Sequence, residues 1–193
     1  MAKLIYSMLT SLDGYTQDAR GGFGWAEPDE EVHAYANHLA STQGMALYGR
    51  RMYETMVWWE TQGDGPDDPE VMAAWARQWR RTDKIVYSRT LDAPRSARTR
   101  VEREFDADAV RRLKAEADRD LSISGPTLAA HALRAGLVDE IEPIVCPVVV
   151  GGGTRFLPDD VRLDLALVEA RTFASGFVAL RYTVASAPNP SPR

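Results

Sequence analysis

Apolar positions along the chain follow two rhythms, and the switches between them mark out the elements. Short runs rich in branched and aromatic side chains predict strands at residues 3–12, 45–48, 84–88, 99–105 and 121–124. Apolar residues spaced three or four apart predict helices between them, at residues 29–42, 50–55, 107–117 and 126–136, with another beginning at Glu70. In the first helix Val32, Tyr35, Ala36 and Leu39 share one face, and Asp29, Glu30 and Glu31 place carboxylates at its start, where the helix dipole favours them. Asp68-Pro69-Glu70 reads as an N-cap, a first-turn proline and an acidic first turn, followed by a helix that buries Val71, Met72, Trp75 and Trp79. Residues 138–150 are long, apolar and β-branched, with breaks expected at Pro143 and Pro147. Two last strands, 163–172 and 177–184, turn around Ser175-Gly176.

Strands alternate with helices over the first two thirds and then follow one another directly. That order predicts an α/β fold with a mainly parallel central sheet, antiparallel C-terminal strands and flanking helices. No repeat or long linker divides the chain, so residues 1–186 read as one domain and the proline-rich 187–193 as a disordered tail. Composition is that of an ordinary globular protein, with 45% hydrophobic and 26% charged residues. The net charge of -5, with arginines scattered among acids, argues against a nucleic-acid partner. Cys146, the only cysteine, excludes an intrachain disulfide and suits a reducing compartment. The N-terminus enters a strand directly and no apolar run reaches membrane-spanning length, so a cytoplasmic protein without membrane contact is expected.

Candidate chemistry gathers where strands pass into helices. A helix start carries unpaired N–H groups and partial positive charge, and glycine there lets an anion approach the backbone. Leu47-Tyr48-Gly49-Arg50-Arg51 is one such junction, with two guanidinium groups added, and Ile123-Ser124-Gly125-Pro126-Thr127 is the other. Either could be tight packing alone; together they make a dinucleotide site plausible, though neither is a Rossmann G-x-G-x-x-G turn. Met56, Trp58 and Trp59 could line a pocket for a planar ring, or serve in the core or a contact between copies. His33, His38 and His131 are spaced poorly for a shared metal, and surface or packing roles are expected; no Cys/His cluster suggests zinc.

Residues 4–14, Leu47 to Glu54, Lys84 to Arg89, Ile123 to Pro126 and Val149 to Thr154 occur in the order and spacing of dihydrofolate reductase relatives. The chain resembles that family, and within it stand-alone proteins similar to the reductase domain of the riboflavin-biosynthesis deaminase-reductase. The resemblance covers residues 3–185. It implies a dihydrofolate-reductase-like fold and an NADPH-dependent reductase acting on a small, heterocyclic, pterin- or flavin-precursor-like substrate. The alternative is an NADP(H)-binding protein without turnover. Gly49, Arg50 and Arg51 would cradle phosphates, and Ser88 and Arg89 would reach the adenosine 2'-phosphate. Ser124 and Gly125, at an unusual peptide, with Pro126, Thr127 and Leu128 behind them, would take the pyrophosphate. Gly152 in the Gly151–Gly153 turn would border the nicotinamide or substrate, with a plain glycine-rich turn as the equal alternative. Met52 stands where the family usually has threonine. Asp29 or Glu30, following Trp25 and Pro28, would be the catalytic acid, its pKa raised in an apolar pocket; the competing role is to stabilise an exposed helix start. A sugar-phosphate substrate would need a further basic group, for which Arg155 is the one obvious source. A homodimer is expected from the resemblance, from the apolar stretch Ile141 to Val150 and from the five tryptophans.

Overall fold

A computed structural model describes residues 1–185, so the predicted tail lies outside the described residues. The chain runs β1 (Leu4–Ser11), β2 (Tyr15–Gln17), α1 (Glu30–Ser41), β3 (Gln43–Gly49), α2 (Arg50–Met56), α3 (Glu70–Arg81), β4 (Asp83–Tyr87), β5 (Thr99–Glu102) and α4 (Ala107–Glu116). It continues through β6 (Asp120–Ser124), α5 (Pro126–Arg134), β7 (Glu140–Cys146), β8 (Thr154–Arg155), β9 (Leu165–Thr172) and β10 (Val178–Val184). Eight strands form one sheet in the order β5-β4-β3-β6-β1-β7-β10-β9, while β2 and β8 pair separately. Neighbours from β5 to β7 are parallel, and β10 is antiparallel to both of its neighbours. The α/β reading of the sequence therefore stands.

Alternation along β3 shows how the two faces are covered. Leu47 joins Val110 of α4 and Leu128 and Leu133 of α5 in one core, while Ala46 and Tyr48 join Tyr53 and Met56 of α2 and Trp79 of α3 in another. On α1, Val32 and Tyr35 pack with Ile144 and Phe173 over the far end of that second face. Helices α4 and α5 thus cover one face, and α1, α2 and α3 the other.

Three expectations need correction. Pro143 does not break β7: it pairs in register with Met8 of β1, and its missing N–H falls where pairing with β10 lapses, between Ile144↔Ala179 and Ile141↔Tyr182. The strand ends at Cys146, so only Pro147 terminates it. Pro69, not Asp68, is the N-cap of α3, because Asp68 is turned back to accept the Gly65 N–H at 2.8 Å. Of the side chains expected inside α3 only Trp79 is buried, beside Ala73 and Ala76; Val71, Met72 and Trp75 are half-exposed. Within the stretch from Ile141 to Val150, Ile141, Ile144 and Cys146 lie inside the sheet's cores, while Val149 beyond the strand is exposed. Edge strand β9 also exposes Leu165, Leu167 and Val168.

Candidate active site

The chain leaves β3 through α2 toward β4 and leaves β6 through α5 toward β7, in opposite directions across the sheet. Between β3 and β6 the winding reverses, and in open α/β sheets ligands bind in the crevice outside the strand ends at such a point. The two helix starts singled out in the sequence flank this crevice. A side chain at Gly49 would lie 3.5 Å from Leu128 Cβ, and one at Gly125 would lie 3.2 Å from Met52 Cβ and 3.7 Å from the Gly49 nitrogen. Gly125 has a φ of 98°, a conformation that favours glycine, and Pro126 follows in the first turn of α5, where a missing N–H costs nothing. Among the described residues no peptide bond is cis, so the unusual feature here is the Gly125 dihedral.

A cavity of about 1430 Å³ opens from this crevice. Gly49, Arg50, Arg51, Ser88, Arg89, Ser124, Gly125, Pro126, Thr127 and Leu128 all line it, so the structure brings together ten positions spread over 80 residues of sequence. Arg50 is braced by Glu54 at 2.8 Å and by the Thr90 hydroxyl. Arg51 is exposed and its guanidinium has no partner among the described residues. Buried Ser88 accepts the N–H groups of Thr90 and Leu91 at 3.3 and 3.0 Å, which leaves its hydroxyl proton free to donate. Arg89 is mostly exposed and reaches Glu104 at 3.4 Å. Arg103 also lines the cavity and was not foreseen; it donates to the Ser88 and Leu91 carbonyls at 3.2 and 2.8 Å. Only the pairing of β4 with β5, Tyr87 opposite Glu102, brings Arg103 beside Ser88.

Met56, Trp58 and Trp59 line the same cavity, and Trp75 and His33 join them. His33 meets Trp59 and Trp75 at centroid distances of 5.9 and 6.2 Å. Burial among these rings lowers its pKa, so the imidazole is neutral at pH 7. The sequence reading gave His33 only a surface or packing role, because nothing local to it signals that α1 and α3 enclose it with two tryptophans.

Three predicted positions do not reach the cavity. Asp29 is exposed and is the N-cap of α1, its Oδ1 accepting the Val32 N–H at 2.8 Å. Hydrogen bonds from Ser175 and then Val32 hold its carboxyl below the ordinary range, the opposite of the raised pKa a proton donor needs. Glu30 is also exposed, in the first turn of α1. Capping is the role the structure gives Asp29, and Glu30 stands in the exposed first turn behind it. Gly152 sits in a turn clamped by Asp13, which accepts the N–H groups of Val150 and Gly151 at 3.1 and 2.8 Å. A side chain at neighbouring Gly153 would run into the Gln17 carbonyl, Gly151 and Gly152 face open space at positive φ, and only Thr154 beyond them touches the cavity. Replacing Asp29 by alanine should lower the melting temperature by a few degrees through loss of the cap. A thermal melt checks this, and an unchanged melting temperature would remove the capping role.

Fold and crevice together define a dihydrofolate-reductase-like α/β protein. Residues 2–179 match the RibD C-terminal domain, and the chain belongs to that family. It is 26% identical over 194 residues to the uncharacterized protein YyaP of Bacillus subtilis (strain 168), covering 93% of this chain and 94% of that one. Its fold is similar to that of a protein from Shewanella sp. PV-4 whose assignment to riboflavin biosynthesis is provisional (TM-score 0.74, 20% identity, 96% of this chain and 100% of that one). It is also similar to the diaminohydroxyphosphoribosylaminopyrimidine deaminase/5-amino-6-(5-phosphoribosylamino)uracil reductase of Thermotoga maritima (TM-score 0.66, 14% identity, 95% of this chain). The match spans 57% of that longer protein. Among the described residues no helix is long and apolar enough to cross a membrane, and no cluster of His, Cys, Asp or Glu is arranged to hold a metal.

Proposed function

We propose that this protein is an NADPH-dependent reductase of a small heterocyclic substrate related to those of the riboflavin pathway. One observation carries the reading: a cationic crevice at two glycine-led helix starts is continuous with an aromatic chamber in a single cavity. The residues fit the dinucleotide. Helix starts α2 and α5 lie close enough to share its phosphates, and Gly125 keeps a side chain from their junction. When bound, NADPH supplies the hydride. Arg50 and Arg51 counter phosphate charge at the first helix start, and Ser88, Arg89 and Arg103 offer donors to a 2'-phosphate. The tryptophans hold a flat ring and keep water from it.

Preference for NADPH over NADH follows. A charge-assisted hydrogen bond is worth about 1.5–3 kcal/mol, or roughly ten- to a hundredfold in affinity. The ratio of the two dissociation constants is expected in that range and should shrink in Arg89→Ala; equal constants for the native protein would remove the assignment. The location of Asp29 and Glu30 outside the cavity favours a second reading, NADP(H) binding without turnover. Following NADPH oxidation with pterins, flavin precursors and simple carbonyl compounds separates the two, since turnover of any of them excludes the second.

A further inference from the structure

The cavity is divided by charge. Its arginines, Arg50, Arg51, Arg89 and Arg103, all stand at the C-terminal edge of the sheet, at the start of α2 and just beyond β4 and β5. The deeper part runs between the sheet and the helices α1 and α3. Tyr6, Leu121 and Ile123 point into the core under α4 and α5, so alternation turns Ser7 and Ser122 to this side, where Ala46 joins them in a floor of small residues. The Ser122 hydroxyl is occupied by the Met45 carbonyl at 3.4 Å. Ala36 and Ala40 of α1 and Trp75 of α3 form the roof, and no lysine or arginine lines this part among the described residues. Its ionisable side chains are His33, neutral among the tryptophans, Tyr48, whose phenol burial keeps protonated, and exposed Glu27 on the loop before α1. Arg155, the one basic group the sequence offered for a sugar-phosphate, is paired with Asp159 at 3.1 Å, lies over the Tyr15 ring and does not line the cavity.

A phosphate monoester in this chamber would lose its water, find no cation and face Glu27, whereas an uncharged flat ring would find small residues beneath it and indole faces around it. We propose that the chamber selects uncharged, planar, unphosphorylated heterocycles, so that the substrate lacks the phosphoribosyl group named for the Thermotoga maritima relative. This rests on the reading of the cationic crevice as the NADPH site, which occupies the arginines.

Lumichrome, a neutral three-ring heterocycle, and FMN, a related ring bearing a phosphate, are suitable probes, read by quenching of tryptophan emission in protein saturated with NADPH. Lumichrome is expected to bind at least tenfold more tightly than FMN. Ser122→Phe, which fills the floor, and Ala40→Phe, which fills the roof, should each weaken lumichrome tenfold or more while NADPH affinity stays within twofold; using both covers the case in which one variant does not fold. FMN binding as tightly as lumichrome, absence of lumichrome binding, or lumichrome affinity unchanged in a folded filled variant would each overturn the proposal. NADPH binding is followed separately by its own emission. Failure there, with lumichrome still preferred over FMN, would sink the cofactor reading and leave the selectivity of the chamber standing.

Discussion

Gly125→Val is expected to weaken NADPH binding tenfold or more and to lower the melting temperature of the same protein. Both effects begin at one backbone position. At a φ of 98° a branched side chain is strained, at a cost on the order of 1–3 kcal/mol. For a domain of this size each kcal/mol corresponds to about 2–4 °C. The new Cβ would also stand 3.2 Å from Met52 Cβ and 3.7 Å from the Gly49 nitrogen, so relief of the contact must push the first turn of α2 away from α5. The two helix starts would no longer converge on one anion. Gly125→Ala, which keeps the dihedral strain without the extra branches, should show a similar loss of stability and a smaller loss of affinity. Measuring melting temperature and NADPH affinity on both variants divides the possibilities. Lowered stability with native affinity would make Gly125 a packing glycine and place the dinucleotide elsewhere.

The convergence behind that prediction shows what local sequence reveals and what it hides. Gly49 and Gly125 were legible because a glycine between an apolar strand and a helix start carries its chemistry in a few consecutive residues. Strand and helix positions were legible for the same reason: Asp106 caps α4 as expected, and the turn at Gly176 closes β9 onto β10. Arg103 was hidden because its partner Ser88 lies 15 residues away on a parallel neighbour, and only register joins them. His33 was hidden because its environment comes from α3 and the segment after α2, and Asp29 carries two readings because an acidic N-cap and a catalytic acid look alike in sequence. Pro143 shows the limit in the other direction. Proline inside an apolar run signals a break, yet here the strand passes through it because two successive places in the ladder to β10 are left unpaired. Small residues such as Ser7 and Ser122 carry no signal at all until alternation along β1 and β6 turns them to the cavity.

The lapse in pairing beside Pro143 leads to the second large effect, expected at Glu142. Register places Arg181 opposite Glu142 across β7 and β10, yet the guanidinium pairs instead with Glu169 of β9 at 3.1 Å, and the Glu142 Oε2 is left without a partner. Nearby Glu140 is held by Lys3 at 2.5 Å and adds its own negative charge. Burial first, and then Glu140, push the Glu142 carboxyl up from 4.5 to about 7, with Glu169 raising it further and Arg181 and Lys3 opposing. The folded state therefore binds a proton more tightly than the unfolded chain. That contribution to stability is fully present below pH 4.5 and is lost as pH rises through about 7, a difference on the order of 3 kcal/mol. Glu142→Gln keeps the shape and removes the titration. It should leave the melting temperature near the native value at pH 4.5 and raise it by several degrees at pH 8, so that the two curves of melting temperature against pH diverge across that interval. His33 titrates in the same window with the opposite sign, since its pKa is lowered, but it is common to both proteins and cancels in their difference. Parallel curves would mean that Glu142 is ionised throughout, held by Arg181 in place of Glu169.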